Sequence, residues 1–561
     1  MQFESPFIGT PLAFRNEAVT PSPAASASTS GKPGKRAYAC KMPTLLTFKN
    51  PLPEQRDWSW NCTESFFEQQ IETIADMKDH LSLPTPNLNL EEPHLWNLHR
   101  SFADHVLKWL PLFSPETATE HVRYARSTDY QHRNSSLCVV FLMFANGAIS
   151  ADTSLYSLRA HELPGFPYFA AAMNILERLP ISSKDLTALQ CRVLVTIYLL
   201  FAFRPLEAWK NITQASQECI LLLRANISPA KDLNSEHLKE YQQAFRRIYW
   251  TCYVLENELE ACLEVPTSGI RSYESQVPLP ISDYEEEGMY FLLALSSLRK
   301  VMVEVLDTVG YKSTDGAVTY SPSVALELRT QIDEWCKHLP QPIRFQMDGH
   351  MLFDTRRAYL RCCYFALTAV ASWPFVIPLA RPAFADRQHR PSTDLGQPTT
   401  RTSFEAATMP PPHMSGPTSH PAQEIVPPLQ SSGAHQPAMT PTSTGVDTID
   451  HHSYLDPSHR HAAETCLTAC RTYLSYAEEI LTSKSLVSHL VVRQYFAFTM
   501  ILILNFPGVD LQDAKSLEER KLLERAIRNL QYWDVVPFMR DSLRVMINIA
   551  RDRGLGMGRG H

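Results

Sequence analysis

No two of the twelve cysteines stand three positions apart, so the 561-residue chain contains no C-x-x-C pair. That excludes the thioredoxin-type redox motif and the common zinc-finger spacings. G-x-S-x-G, H-E-x-x-H and G-K-[ST] are also missing, which leaves no nucleophile elbow, no zincin helix and no phosphate loop. Glycine is scarce, 19 residues against 41 prolines, the reverse of average usage. Period-2 alternation is rare, and neither a hairpin signal nor a β–α alternation is found. The opening MQFESPFIGTPL carries Glu4, Pro6 and Pro11 in place of an apolar run, so it does not read as a secretory signal. Reduced thiols in an intracellular compartment are therefore expected. The sequons at Asn61, Asn134 and Asn211 then read as chance matches.

A net charge of −7, with 52 basic against 59 acidic residues, argues against a generic polyanion binder. The stretch from Cys362 to Ala380 holds no charge and approaches the length of a bilayer span. Pro374 and Pro378 interrupt it, so it reads as a buried helix ending near Trp373. The apolar runs Val193–Phe203 and Tyr495–Phe506 are too short to span.

Proline and small polar residues crowd residues 1–60, which read as a disordered N-terminal arm. Residues 381–455 read as a second such tract, a Pro/Ser/Thr/His-rich linker. Its first seventy residues hold 12 prolines and no lysine, with too little apolar surface to offset ordering entropy. The structured blocks are then 90–380 and 456–550, with a flexible tail at 551–561.

Both blocks carry helical periodicity. Phe245, Ile248, Cys252, Leu255, Leu259 and Cys262 repeat at 3, 4, 3, 4, 3. Leu328, Ile332, Trp335 and Leu339 form a second stripe, which must stop before Pro340. Cys466, Cys470, Tyr473, Ala477 and Ile480 form a third. Burial of each large apolar side chain is worth roughly 1.5–3 kcal/mol gross, so each stripe needs a neighbour. The expectation is an all-α fold: one large multi-helix domain interrupted by a Pro-rich insertion, the C-terminal helices completing it.

None of the candidate sites carries a full motif. His161-Glu162 begins like a zincin motif, but Gly165 stands where the second histidine is needed. Gly554, Gly556, Gly558 and Gly560 lack the following helix that a phosphate cradle requires. The acidic run Asp283–Glu287 has no second acidic cluster to share a metal-bound diphosphate. His451, His452, His459 and His461 read as solvated, while Cys466 and Cys470 belong to a core stripe. The basic segment Lys32–Lys41 is a weak nuclear address or an exposed loop. No catalytic, metal, cofactor or DNA-binding residue is assigned, and ligand-binding residues cannot be named.

Five phrases occur in order: RSFADHVLKWLPLF at 100–113, FANGAI at 144–149, LTALQCRVLVTIYLLFAFRPLEAW at 186–209, RRIYWTCYVLENELEACLEVPTSGIRSYESQVPLP at 246–280, and RRAYLRCCYFALTAVASWPFVIPL at 356–379. Together they resemble the regulatory, or middle homology, domain of fungal zinc-cluster transcription factors. Trp250, Pro266, Ser268, Ile270 and Pro278-Leu279-Pro280 fit its pattern. The resemblance covers roughly 94–380, and a Pro-rich interruption of the kind common in that family would carry it on into 460–550. Arg246 and Arg247 are expected to snorkel, with Trp250 a structural residue.

The resemblance implies a nuclear transcription regulator, which shuttles with the cytoplasm in one reading, and not an enzyme. Its helical block would sense a small molecule, bind a protein partner or dimerise, with no membrane involved. A bundle interior lined by Tyr, Phe and Trp is the expected ligand site. The family's DNA reader is a binuclear zinc cluster of six cysteines. Cys40 and Cys62 are the only cysteines before residue 138, so that cluster cannot form here. Lys35-Arg36-Ala37-Tyr38-Ala39-Cys40 looks like its lead-in, but Met42-Pro43-Thr44 follows. Either the reader was lost, or an exon carrying it is skipped; DNA would then be reached indirectly. An all-α metabolic enzyme and a non-transcriptional helical scaffold remain the alternative readings.

Overall fold

The computed structural model describes residues 47–48, 60–83, 87–152, 154, 159–179, 185–224, 235–281, 287–309, 320–348, 350–376, 456–482, 484–506 and 513–556. Most of the expected arm at 1–60 and the expected linker at 381–455 lie outside these residues.

The all-α expectation holds. Helices α1 (Thr63–Leu81) and α2 (Glu92–Phe102) come first, and α2 runs into a π-helical turn at Ala103–Leu107. Next are α3 (Pro115–Ser127), α4 (Ser135–Ala151), α5 (Phe166–Leu176), α6 (Thr187–Phe201), α7 (Pro205–Arg224) and α8 (Ser235–Leu263). Then follow α9 (Glu287–Val309), α10 (Pro322–Lys337) and α11 (Thr355–Ser372). Beyond the insertion lie α12 (Pro457–Leu481), α13 (Ser488–Asn505), α14 (Ala514–Gln531) and α15 (Pro537–Asp552). The described strands, β1 (Thr47–Phe48) and β2 (Trp60–Asn61), pair antiparallel over two residues each. So short a ladder has no room for alternation, which is why no hairpin signal precedes it in the sequence.

Helix starts are set by local chemistry. Ser114, Asn134, Ser321, Asp354 and Asp513 each accept a backbone N–H in the first turn of α3, α4, α10, α11 and α14. Asn134, one of the sequons, is thus a helix cap. Asn211 lies within α7 and bonds the Glu207 carbonyl.

The helices α4, α6 and α13 are apolar nearly all round and lie in the centre. The three sequence stripes face inward from α8, α10 and α12, with Ile248, Cys252, Ile332, Cys466, Cys470 and Tyr473 at 0% exposure. The uncharged stretch from Cys362 forms most of α11 and a 3-10 turn over Trp373–Phe375. Among the described residues no helix is long and apolar enough to cross a membrane.

Both sides of the insertion share one core. The neighbours α11 and α12 pack along their length, although residues 377–455 separate them in sequence. Described helices also lie before residue 90 and run past residue 550. In α1, Phe66 meets Phe538 of α15 edge to face at 5.4 Å. Helix α15 continues to Asp552, and Leu555 is buried.

Candidate functional site

The ordered phrases meet in space, held by side chains that bond backbone carbonyls. Arg247 donates to Pro111 O at 3.2 Å, and Trp250 Nε1 to Pro278 O at 3.1 Å. Tyr249 OH donates to Ile270 O at 2.8 Å, and Trp209 Nε1 to Pro266 O at 3.0 Å. Glu256 accepts from the N–H and hydroxyl of Ser268 at 2.5 and 2.8 Å. The segment Pro266–Pro280 is therefore strapped to α7 and α8. The snorkelling expected of Arg247 does not occur: it is buried, and its guanidinium crosses to a carbonyl near the end of the first phrase.

Three buried arginine centres join helices distant in sequence. In the first, Arg299 of α9 pairs with Glu258 of α8 and donates to Tyr359 OH of α11 at 3.0 Å. The Tyr359 hydroxyl donates on to Glu258 at 3.2 Å. In the second, Arg361 of α11 meets Glu479 of α12 at 3.2 Å and lies 3.7 Å from the Tyr476 ring centre. Arg361 also donates to His350 O at 2.9 Å, while Glu479 accepts Leu352 N at 3.2 Å. This clamp ties the insertion's two flanks together and presents Met347, Met351 and Phe353 to solvent.

In the third centre, Arg204 reaches Asp76 of α1 at 3.3 Å, Glu207 of α7 at 3.2 Å and Thr73 O at 2.7 Å. Burial pushes the Glu207 carboxyl from 4.5 up to about 7, against the pull of Arg204. A raised carboxyl favours the folded state fully below 4.5, and that contribution is lost as pH rises through about 7. The rise corresponds to on the order of 3 kcal/mol. Glu207→Gln is expected to match the parent's urea midpoint near pH ~4.5 and to exceed it near pH ~8. Parallel pH profiles would refute this.

Two voids stand out. One is a solvent-open groove of about 510 Å³ between the starts of α10 and α12, lined by Leu326, Arg329, Ser372, Asp456 and His461 among others. The other lies inside the core, has a volume of about 10 Å³, and is bounded by Trp109, Glu258, Phe291 and His489.

The residues considered as sites are not brought together. His161 is on the surface beside Glu162. Gly165 has φ +74°, and a Cβ there would stand 2.7 Å from Ala145 O, so no histidine fits that position. Cys466 donates to Ala369 O within the core, while His459 bonds Asp456 at the start of α12. His451, His452, residues 282–286, Gly558, Gly560 and the segment Lys32–Lys41 lie outside the described residues. Among the described residues no group of three His, Cys, Asp or Glu could hold a metal ion. Cys62 adjoins the first turn of α1, where its carbonyl accepts Phe66 N. Two cysteines in the first 137 residues do not fit a six-thiolate cluster.

The polar joints are not foreseen by periodicity. A charge within an apolar helix row, as at Glu258, Arg299 and Arg361, is the signal that could have found them.

The described helices on both sides of the insertion form one helical module held by internal polar joints. Residues 98–337 match the fungal specific transcription factor domain. The match falls on the same part of the chain as most of the ordered phrases. It is also similar to the Aspergillus rugulosus protein named "Putative transcription factor ecdB", 27% identical over 216 residues. That match takes in 37% of this chain and 38% of the relative's length. No solved structure matches the chain. These likenesses point to a transcription factor and not to an enzyme.

Proposed function

We propose that the chain is a nuclear transcription regulator whose helical module acts by binding a protein partner or small-molecule effector, without catalysis and without a cofactor of its own. DNA is reached through a partner or a separate reader. The observation that carries this is the single core spanning 63–376 and 456–555, locked across the insertion by Arg361 and Glu479. The net charge of −7 supports recruitment over direct duplex binding.

The test pairs two measurements on the full chain. Fused to a heterologous DNA-binding domain, it is expected to change transcription of a reporter bearing that domain's site. Alone in a gel shift, it is expected to give no sequence-specific complex. A silent reporter overturns the regulatory reading. A tight, salt-sensitive, sequence-specific shift overturns the indirect recruitment.

A further inference from the structure

His489 stands in the first turn of α13, buried to 4% exposure. Its Nδ1 lies 3.0 Å from Leu486 O. A carbonyl only accepts, so Nδ1 carries the ring proton and Nε2 is left as a bare lone pair. Nε2 is buried and has no hydrogen-bond partner among the described residues. Burial, and then the Arg493 charge, hold the imidazole down at about 3, so it stays neutral across physiological pH. A buried acceptor without a donor costs about 1–3 kcal/mol.

That ring lines the small core cavity, with Glu258 as the other ionisable group in its wall. Trp109, Leu255 and Phe291 are among the apolar side chains that complete the wall. The volume of about 10 Å³ is at the lower limit for holding one water. A resident water needs at least two polar partners. Two of the lining residues carry acceptors, His489 its Nε2 and Glu258 a carboxylate that also takes Arg299 and Tyr359, and these match the two O–H donors of water.

We propose that this cavity is a binding site for one resident water, which donates to His489 Nε2 and to the Glu258 carboxylate. The water joins α13, from beyond the insertion, to α8, within the matched domain. It also bounds what else can enter. A ligand larger than one heavy atom does not fit a volume of about 10 Å³. The water's place in the core is independent of the proposed function.

A high-resolution crystal structure of the full chain is the direct test. One spherical density peak within hydrogen-bond distance of both Nε2 and Glu258 is the expected result. An ordered but empty cavity overturns the proposal, as does a ring turned so that its N–H meets Glu258. In solution, magnetic relaxation dispersion counts long-lived internal waters. His489→Leu is expected to lower that count by one per chain, and His489→Gln to restore it. An unchanged count in folded His489→Leu overturns the proposal. Should that variant fail to fold, the density in the parent's crystal structure still separates a filled cavity from an empty one.

Discussion

Glu258→Gln is expected to lower stability by about 3–5 kcal/mol, read as a fall in the urea midpoint. The pair it breaks is almost dry, with Arg299 at 4% and Glu258 at 6% exposure. Removing the carboxylate strands a guanidinium that cannot shed its proton. Tyr359 OH and the Met302 sulfur remain near it, and neither carries a compensating charge. The reverse change, Arg299→Met, strands Glu258 instead. A buried carboxylate has an escape, because it takes up a proton and becomes neutral. The Arg299→Met penalty should therefore shrink as pH falls from about 7 towards about 5, while the Glu258→Gln penalty should stay flat. Replacing both, as Glu258→Leu with Arg299→Met, should recover most of the loss, since apolar substitutes of similar volume often match a buried pair. A double variant no more stable than the worse single would contradict this expectation. So would penalties for the two singles that share one pH dependence.

The contrast between these joints and the stripes shows what was legible beforehand. A stripe is a local record: Ile248, Cys252 and Leu259 announce one helix face because their spacing matches the turn of a single helix. Their burial followed, and so did that of Cys466 and Cys470. A joint such as Glu258, Arg299 and Tyr359 has no local record. Its members come from three helices, and each alone looks like an ordinary polar residue on an otherwise apolar row. Arg247 departs from its expected surface role for the same reason, since its acceptor, Pro111 O, lies 136 positions away. Helix α1 is faint in the sequence because its described inward face comprises little more than Phe66, Gln70 and Met77, too sparse to stand out beside the Pro-rich arm. The phrase order carries more than any single motif, because the straps from Trp209, Trp250 and Glu256 need those residues at those separations.

Gly147→Leu is expected to abolish the native fold, a loss of more than about 4–5 kcal/mol. The phrase FANGAI explains why. A Cβ at Gly147 would stand 2.1 Å from Leu98 O and 2.8 Å from Leu98 C, both backbone atoms of α2. No rotamer change relieves a contact with backbone, so α2 itself would have to move away. Helix α4 cannot retreat instead. Asn146, the preceding residue, donates to Leu194 O of α6 at 3.0 Å and to Leu142 O at 2.8 Å. One turn on, Ser150 bonds Ser101 of α2 at 3.2 Å, fixing the same approach. Even Gly147→Ala should cost about 1–3 kcal/mol, although alanine is the better helix former. Gly269 supplies the control. It sits at φ +85° with open space around its Cβ position, so only backbone strain opposes a side chain there. Gly269→Asn should therefore cost less than Gly147→Ala, because asparagine tolerates the left-handed region. Urea midpoints of the two folded variants test the ranking, with soluble yield and circular dichroism reporting on Gly147→Leu. A soluble, fully helical Gly147→Leu chain would show that α2 and α4 are not held this close in solution.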